Sequence, residues 1–176
     1  MDVVPVTADR LGLVEELFAT SRVMTGCWCM WPRLERGAFR PGDPDNRERM
    51  TREIETGTVP GLLALDDGAP VGWCAVGYRH VYPQYGEVER DERVWAVPCI
   101  FVAEAGRSSG VAQALVQAAV GHCARAGAVV VHGPPAWWLA GGPDAAAAAV
   151  AAFVRNGFEQ SGAGARMPLL VKRIDA

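Results

Sequence analysis

Arg107, Gly110 and Ala112 stand in an R-x-x-G-x-A spacing within the run Ala103-Glu-Ala-Gly-Arg-Ser-Ser-Gly-Val-Ala112. A run of this kind suits an anion. Small residues let backbone N–H groups converge on one point, and a helix starting at Gly110 adds the positive end of its dipole, so phosphate can be held with few cationic side chains. Arg107 and Glu104 are the only charges in the loop. No Lys-Ser/Thr pair follows Gly110, which excludes the nucleotide P-loop, and no G-x-G-x-x-G follows a strand, which excludes the dinucleotide fingerprint. The predicted ligand is phosphorylated and sits on the loop from Arg107 through Ser108, Ser109, Gly110 and Val111 to Ala112.

Three histidines and five cysteines are the other reactive side chains. His132 closes an apolar run, Val129 to His132, and an unperturbed imidazole titrates near neutrality, so it is either a proton acceptor or a structural strand end. His122 belongs near a helix C-terminus and His80 near a strand end. Cys74, Cys99 and Cys123 stand apart from Cys27 and Cys29, so neither residue type has metal-ligand spacing and no metal is expected. The cluster Cys27-Trp28-Cys29-Met30-Trp31 reads as the wall of a pocket for an apolar or aromatic ligand, or as core packing beneath a loop. Trp137 and Trp138, after Pro134-Pro135, would form a second wall or a dimer contact.

The elements that position these residues follow from periodicity and punctuation. Val3 to Val6 is a short strand, and Thr7 caps a helix with Leu11, Val14, Leu17 and Phe18 on one face. A loop then carries Cys27 to Trp31. Asp45 caps a polar helix to about Glu55, and Asp66-Asp-Gly-Ala-Pro70 joins strands Gly61 to Leu65 and Val71 to Tyr78 as a hairpin. Arg79 to Arg93 reads as a loop or lid, and residues 94–102 as a central strand in which Pro98 marks an edge or bulge. The helix from Gly110 turns Val111, Leu115, Ala118 and His122 to one side and stops at Gly127. Asp144 caps an alanine-rich helix ending at Asn156-Gly157, and Arg166 to Ile174 supplies the last strand or strands.

With 176 residues, 50% hydrophobic and 21% charged, the chain has room for one domain, residues 1–176, with a sizeable core. A net charge of −3 and a pI of about 5.6 give no overall attraction to nucleic acid or to an anionic membrane. Met1-Asp-Val-Val-Pro5 has no basic region followed by an apolar stretch, and the cysteine count is odd, so a cytoplasmic protein with reduced thiols is expected.

The strand, the R-x-x-G-x-A loop and the helix after it resemble the GCN5-related N-acetyltransferase (GNAT) family, whose loop holds the pyrophosphate of acetyl-CoA. Phe153-Val-Arg-Asn-Gly-Phe158 resembles the family's Y-x-x-x-G-F helix end, with Phe153 in the place of tyrosine. The resemblance implies an α/β fold, a single domain with a central mixed, splayed β-sheet flanked by helices. It implies acetyl-CoA (coenzyme A) as cofactor, with backbone amides of Ile100, Phe101 and Val102 on the acetyl carbonyl and pantetheine, and Phe153 beside the cofactor. It also places Cys27, Trp28, Cys29 and Trp31 on the acceptor side. The implied function is acetyl transfer to an amine of a small molecule by direct attack in a ternary complex, since no Ser or Cys has an evident base and orienting group in the sequence. A phenyl ring donates no proton, so Phe153 departs from the family's acid. His132 is the candidate base, with Glu87 or Glu89 behind it. An acyl-CoA binding module without turnover, a protein acceptor, a carrier-bound donor and a homodimer remain alternatives.

Overall fold

The computed structural model describes residues 1–86, 89–107, 109–135, 143–161 and 169–174. The hairpin forms where the sequence places it. Asp67 (φ 47°) and Gly68 (φ 84°) make a two-residue turn of the twist that strands prefer, and it joins β2 (Gly61–Asp66) to β3 (Ala69–Ala75). β1 (Asp2–Pro5) pairs with β2, and β6 (Ile100–Val102) pairs with β3, giving an antiparallel sheet in the order β1-β2-β3-β6.

A second sheet runs β4-β5-β7-β9-β8, built from Gly77–Tyr78, Val94–Ala96, Val130–His132, Leu169–Arg173 and Glu159–Ser161. β5 and β7 are parallel and the other pairs antiparallel, so the architecture is α/β with a mixed, splayed sheet. Two runs predicted as single strands cross the break between the sheets. Residues 71–78 divide at Val76, whose N–H bonds Pro60 instead of a strand partner, into β3 and β4. Residues 94–102 divide around the buried Pro98 into β5 and β6, because proline has no N–H to continue a ladder.

Five helices flank the sheets among the described residues. A 3-10 turn, Ala8–Arg10, precedes α1 (Leu11–Ala19), and Thr7 gives its hydroxyl to Asp9 and caps no backbone N–H. The segment after it, predicted as loop, begins with α2 (Arg22–Cys27), capped by Ser21. α3 (Pro44–Glu55) is capped by Asp43, two residues earlier than Asp45, because proline is favoured at the first helical position. α4 (Val111–Arg125) buries Val111, Leu115, Val116, Ala119 and Cys123; Ala118 and His122, expected on this face, lie at its margin and are half-buried. α5 (Pro143–Arg155) starts one residue before Asp144, which therefore sits in its first turn. Residues 79–85 form two 3-10 turns that bury Arg79, Tyr82, Gln84 and Tyr85, so this part of the expected lid is packed structure. Of the last predicted strand, Arg166 to Ile174, β9 covers Leu169–Arg173, and residues 166–168 lie outside the described residues.

Two cores result. One lies beneath α4 and α5 and draws on both sheets, with Leu62, Cys74, Trp95, Val131, Phe153 and Leu170. The other packs α1, α2 and α3 on the opposite face of the first sheet, around Phe18, Met50 and Trp73. No helix among the described residues is long and apolar enough to cross a membrane.

Candidate functional site

The site is built from an opening in the sheet. The Val97 N–H donates to His132 O at 2.8 Å, and beyond that bond the neighbouring runs part, with Gly133 N–H turning to Leu170 O at 2.7 Å. β6 is left as an edge strand facing the gap. Its register decides which backbone groups are free. Ala75 N–H bonds Cys99 O at 2.9 Å and Ala103 N–H bonds Val71 O at 3.0 Å, so the hydrogen-bonded pairs along this antiparallel ladder are 75/99, 73/101 and 71/103. Phe101 spends its backbone on Trp73. The N–H and C=O groups of Ile100 and Val102 point away from β3, toward the gap.

The loop after β6 ends at the uncapped N-terminus of α4. Gly110 is the N-cap with φ 78°, has no side chain to satisfy the first turn, and accepts through its carbonyl from Ala114 N–H. The N–H groups of the first helical turn are therefore open to an anion, with the helix dipole behind them. Ser109 Oγ donates to Gly106 O at 2.7 Å and fastens the loop. A Cβ on Gly106 would lie 2.9 Å from Val71 O, so only glycine lets the loop pack this closely on β3. Arg107, Ser109 and Gly110 are exposed, Val111 is anchored in the core and Ala112 is half-buried. Ser108 lies outside the described residues.

His132 ends β7 at the mouth of the gap. It is half-buried, and its Nδ1 is buried without a hydrogen-bond partner among the described residues. Burial, and secondarily the charge of Arg79, push its pKa down to about 4, so the imidazole is neutral at pH 7. Arg79 is 4% exposed, bonds the carbonyls of Tyr85 and Gly86, and has no carboxylate partner among the described residues. Phe153 is fully buried with its ring edge-to-face on Phe158 at 5.0 Å, and a Cβ on Gly133 would meet it at 3.1 Å, so the ring lies directly behind the start of the gap.

The Cys27 to Trp31 cluster divides. Trp28 is buried, packed against Phe18 at 5.3 Å with the Arg47 guanidinium 5.7 Å over its ring, and Cys29 is wholly buried. Cys27 is half-buried. Trp31 lines an open hollow of about 300 Å³ with Arg36, Gly37, Phe39 and Gln84. A neighbouring hollow of about 360 Å³ is lined by Met30, Arg33, Leu34, Arg49, Arg52, Glu53 and Thr56. Trp137, Trp138 and Glu87 lie outside the described residues. The sequence reading missed Arg33, whose buried guanidinium reaches Glu53, Pro60 O and Cys29, and it missed Arg79; the spacing of Arg33 four residues after Cys29 was the available signal. Cys99, read as standing apart, packs against the core that contains Cys29. No group of three or more His, Cys, Asp or Glu among the described residues is placed to hold a metal ion.

Residues 28–158 match the family model described as Acetyltransferase (GNAT) family. No curated protein matches the chain. Among solved structures, YncA from Salmonella typhimurium with its cofactor acetyl-CoA superposes with a TM-score of 0.64 at 15% identity, covering 100% of this chain and 95% of that one. Ribosomal-protein-alanine N-acetyltransferase from Brucella melitensis gives 0.61 at 17% identity, covering 99% and 100%. A phosphinothricin acetyltransferase from Sinorhizobium meliloti in complex with AcCoA gives 0.61 at 16% identity, covering 98% and 88%. At these identities the likeness is one of fold.

Proposed function

The chain belongs to the acetyltransferase (GNAT) family, and from that premise we propose that it transfers acetyl from acetyl-CoA to an amine of a small molecule by direct attack in a ternary complex. The observation that carries this reading is the pairing of an open β6 edge with an uncapped α4 N-terminus at the end of one short loop. Acetyl-CoA supplies an activated thioester. The fit is one of backbone polarity, with the N–H groups at Gly110, Val111 and Ala112, joined by Arg107, Ser108 and Ser109, for pyrophosphate. Ile100 and Val102 offer N–H groups to the pantetheine and to the thioester oxygen, where charge develops during attack. Phe101 holds β6 in register through Trp73, and Phe153 backs the gap as a hydrophobic wall.

His132 is the proposed proton acceptor. It is neutral at pH 7 and stands where the sheet opens, and its low pKa makes it an available but weak base. Thiolate release needs little acid assistance because thiols have reference pKa values near 8.5, which fits the absence of a hydroxyl at Phe153. On the acceptor side we place Cys27 and Trp31, with the buried Trp28 and Cys29 shaping the wall behind them, and we assign Trp137 and Trp138 to the same acceptor role from the sequence. The solved neighbours include enzymes named for a small-molecule acceptor and for a ribosomal-protein alanine, so the test must separate these classes. Thiol release from acetyl-CoA is followed across a set of small amines and a set of peptide N-termini, beside a thermal-shift titration with CoA. Release with a small amine is the expected result; release only with peptides replaces the acceptor class, and CoA binding without release from either set overturns the proposed reaction.

A further inference from the structure

Three of the five cysteines gather where the α2 turn meets β6. Trp28 (φ 49°) and Cys29 (φ 55°) both adopt left-handed backbone, which side-chain-bearing residues disfavour. That turn is held by Arg33, which donates to Cys29 O at 3.0 Å, to Glu53 at 3.0 Å and to Pro60 O at 2.7 Å, with its side chain only 6% exposed. The same turn delivers the Cys29 sulfur between two N–H donors, Trp73 Nε1 at 3.4 Å and Arg33 Nη1 at 3.6 Å. Cys99 arrives from the sheet. The 75/99 and 73/101 pairs put Cys99 on the same face as Trp73, Ala75 and Phe101, all packed in the core that contains Cys29. Cys99 packs against the core that holds Cys29, and the two thiols influence each other there.

The donors favour an anion on one sulfur and a proton on the other. The Cys99 thiol, with the Arg33 charge and the Trp73 N–H, holds the Cys29 thiol below its ordinary range against the opposing effect of burial, while Cys99 is held well above it. The thiolate is the reactive form of cysteine, and a neighbouring thiol resolves its oxidised product. We propose that Cys29 and Cys99 form an oxidation site at which a hydroperoxide yields an intramolecular disulfide. The Cys29 thiolate attacks one peroxide oxygen, the O–O bond breaks, and the departing oxygen takes a proton, leaving a sulfenic acid and the reduced alcohol or water. Cys99 then gives up its proton and attacks the Cys29 sulfur; the S–O bond breaks and hydroxide leaves with that proton as water. Cys99 and Cys27 are half-buried, and Cys29 is buried. Cys27, whose thiol burial pushes up to about 11, is the bystander. The bond ties the Trp28-Cys29 turn to the residue preceding Ile100, beside the open edge.

The test uses the full chain treated with hydrogen peroxide, alkylated, and read by intact mass and peptide mapping, so it stands apart from acetyl transfer. Wild-type protein is expected to lose two hydrogens, to show Cys29 linked to Cys99, and to recover both thiols with dithiothreitol. Cys99→Ser is expected to stop at a Cys29 sulfenic acid that dimedone traps. A wild-type map in which the bond includes Cys27, or in which Cys29 is oxidised no faster than Cys123, overturns the proposal without recourse to any variant.

Discussion

His132 carries its consequence in the direction of its shift. Its ordinary pKa of 6.5 is the value in the unfolded chain, and burial with Arg79 lowers it to about 4 in the fold. Above pH 6.5 both states are neutral and the group contributes nothing to pH dependence; as pH falls from 6.5 toward 4 the unfolded chain binds the proton first, so stability is lost across that window. Discounted for partial exposure, the loss is about 1–2 kcal/mol, and His132→Gln is expected to flatten it in urea melts taken at stepped pH. If His132 is also the base, the acid limb of kcat/KM lies near 4 and is absent in His132→Gln. A limb near neutrality that survives the substitution would assign proton transfer to another group. The shift itself was hidden from sequence reasoning, because Arg79 is far from His132 along the chain and arginine is ordinarily read as surface.

The proposed pyrophosphate contacts concentrate in the first turn of α4, whose N-terminus has no side-chain cap. Gly110 sits at φ 78°, so any side chain there is strained, and asparagine tolerates that backbone best. Gly110→Asn is therefore expected to keep measurable CoA binding, while Gly110→Asp puts a negative charge on the open N–H groups and weakens binding by roughly tenfold or more, close to the worth of a charge at a helix terminus. Equal CoA-induced shifts in Tm for the two variants would show that the pyrophosphate lies elsewhere. β6 offers an independent reading by hydrogen exchange. Ile100 and Val102 amides should exchange quickly without ligand and slowly with CoA, and Phe101 should be protected in both states because its backbone already pairs with Trp73. The loop and its helix were legible because glycine, serine and a strand-to-helix change occupy consecutive positions. The division of 71–78 and 94–102 between two sheets was less so. An apolar run reads alike in either sheet, and only Pro98 marked the second break. α2 has six residues, too few for a helical repeat to show, and the packing of Cys99 against the core that contains Cys29 depends on strand register that composition does not carry.

Across the whole molecule, α4 is the element that joins the two sheets. It packs on β2 and β3 of the first sheet and against α5, and its buried face belongs to a core that also contains Trp95, Val131 and Leu170 of the second. Leu115 stands at the centre of that face, fully buried, with its Cδ1 close enough to β3 that a Cβ on Gly72 would lie 3.0 Å from it. Shortening it leaves a cavity that neither sheet can fill without moving the other. Leu115→Ala is expected to cost about 2–5 kcal/mol and to lower the unfolding midpoint in a single transition. The proposed CoA contacts lie outside this cavity, in the first turn of α4 and on the free edge of β6, so CoA at a hundredfold excess over its Kd should stabilise wild type and Leu115→Ala by the same increment, about 2.7 kcal/mol. Thermal melts with and without CoA measure both quantities at once. Two separated transitions in the variant would mean that the sheets fold independently, and loss of the CoA increment would mean that the core beneath α4, more than its exposed N-terminus, sets the shape of the donor site.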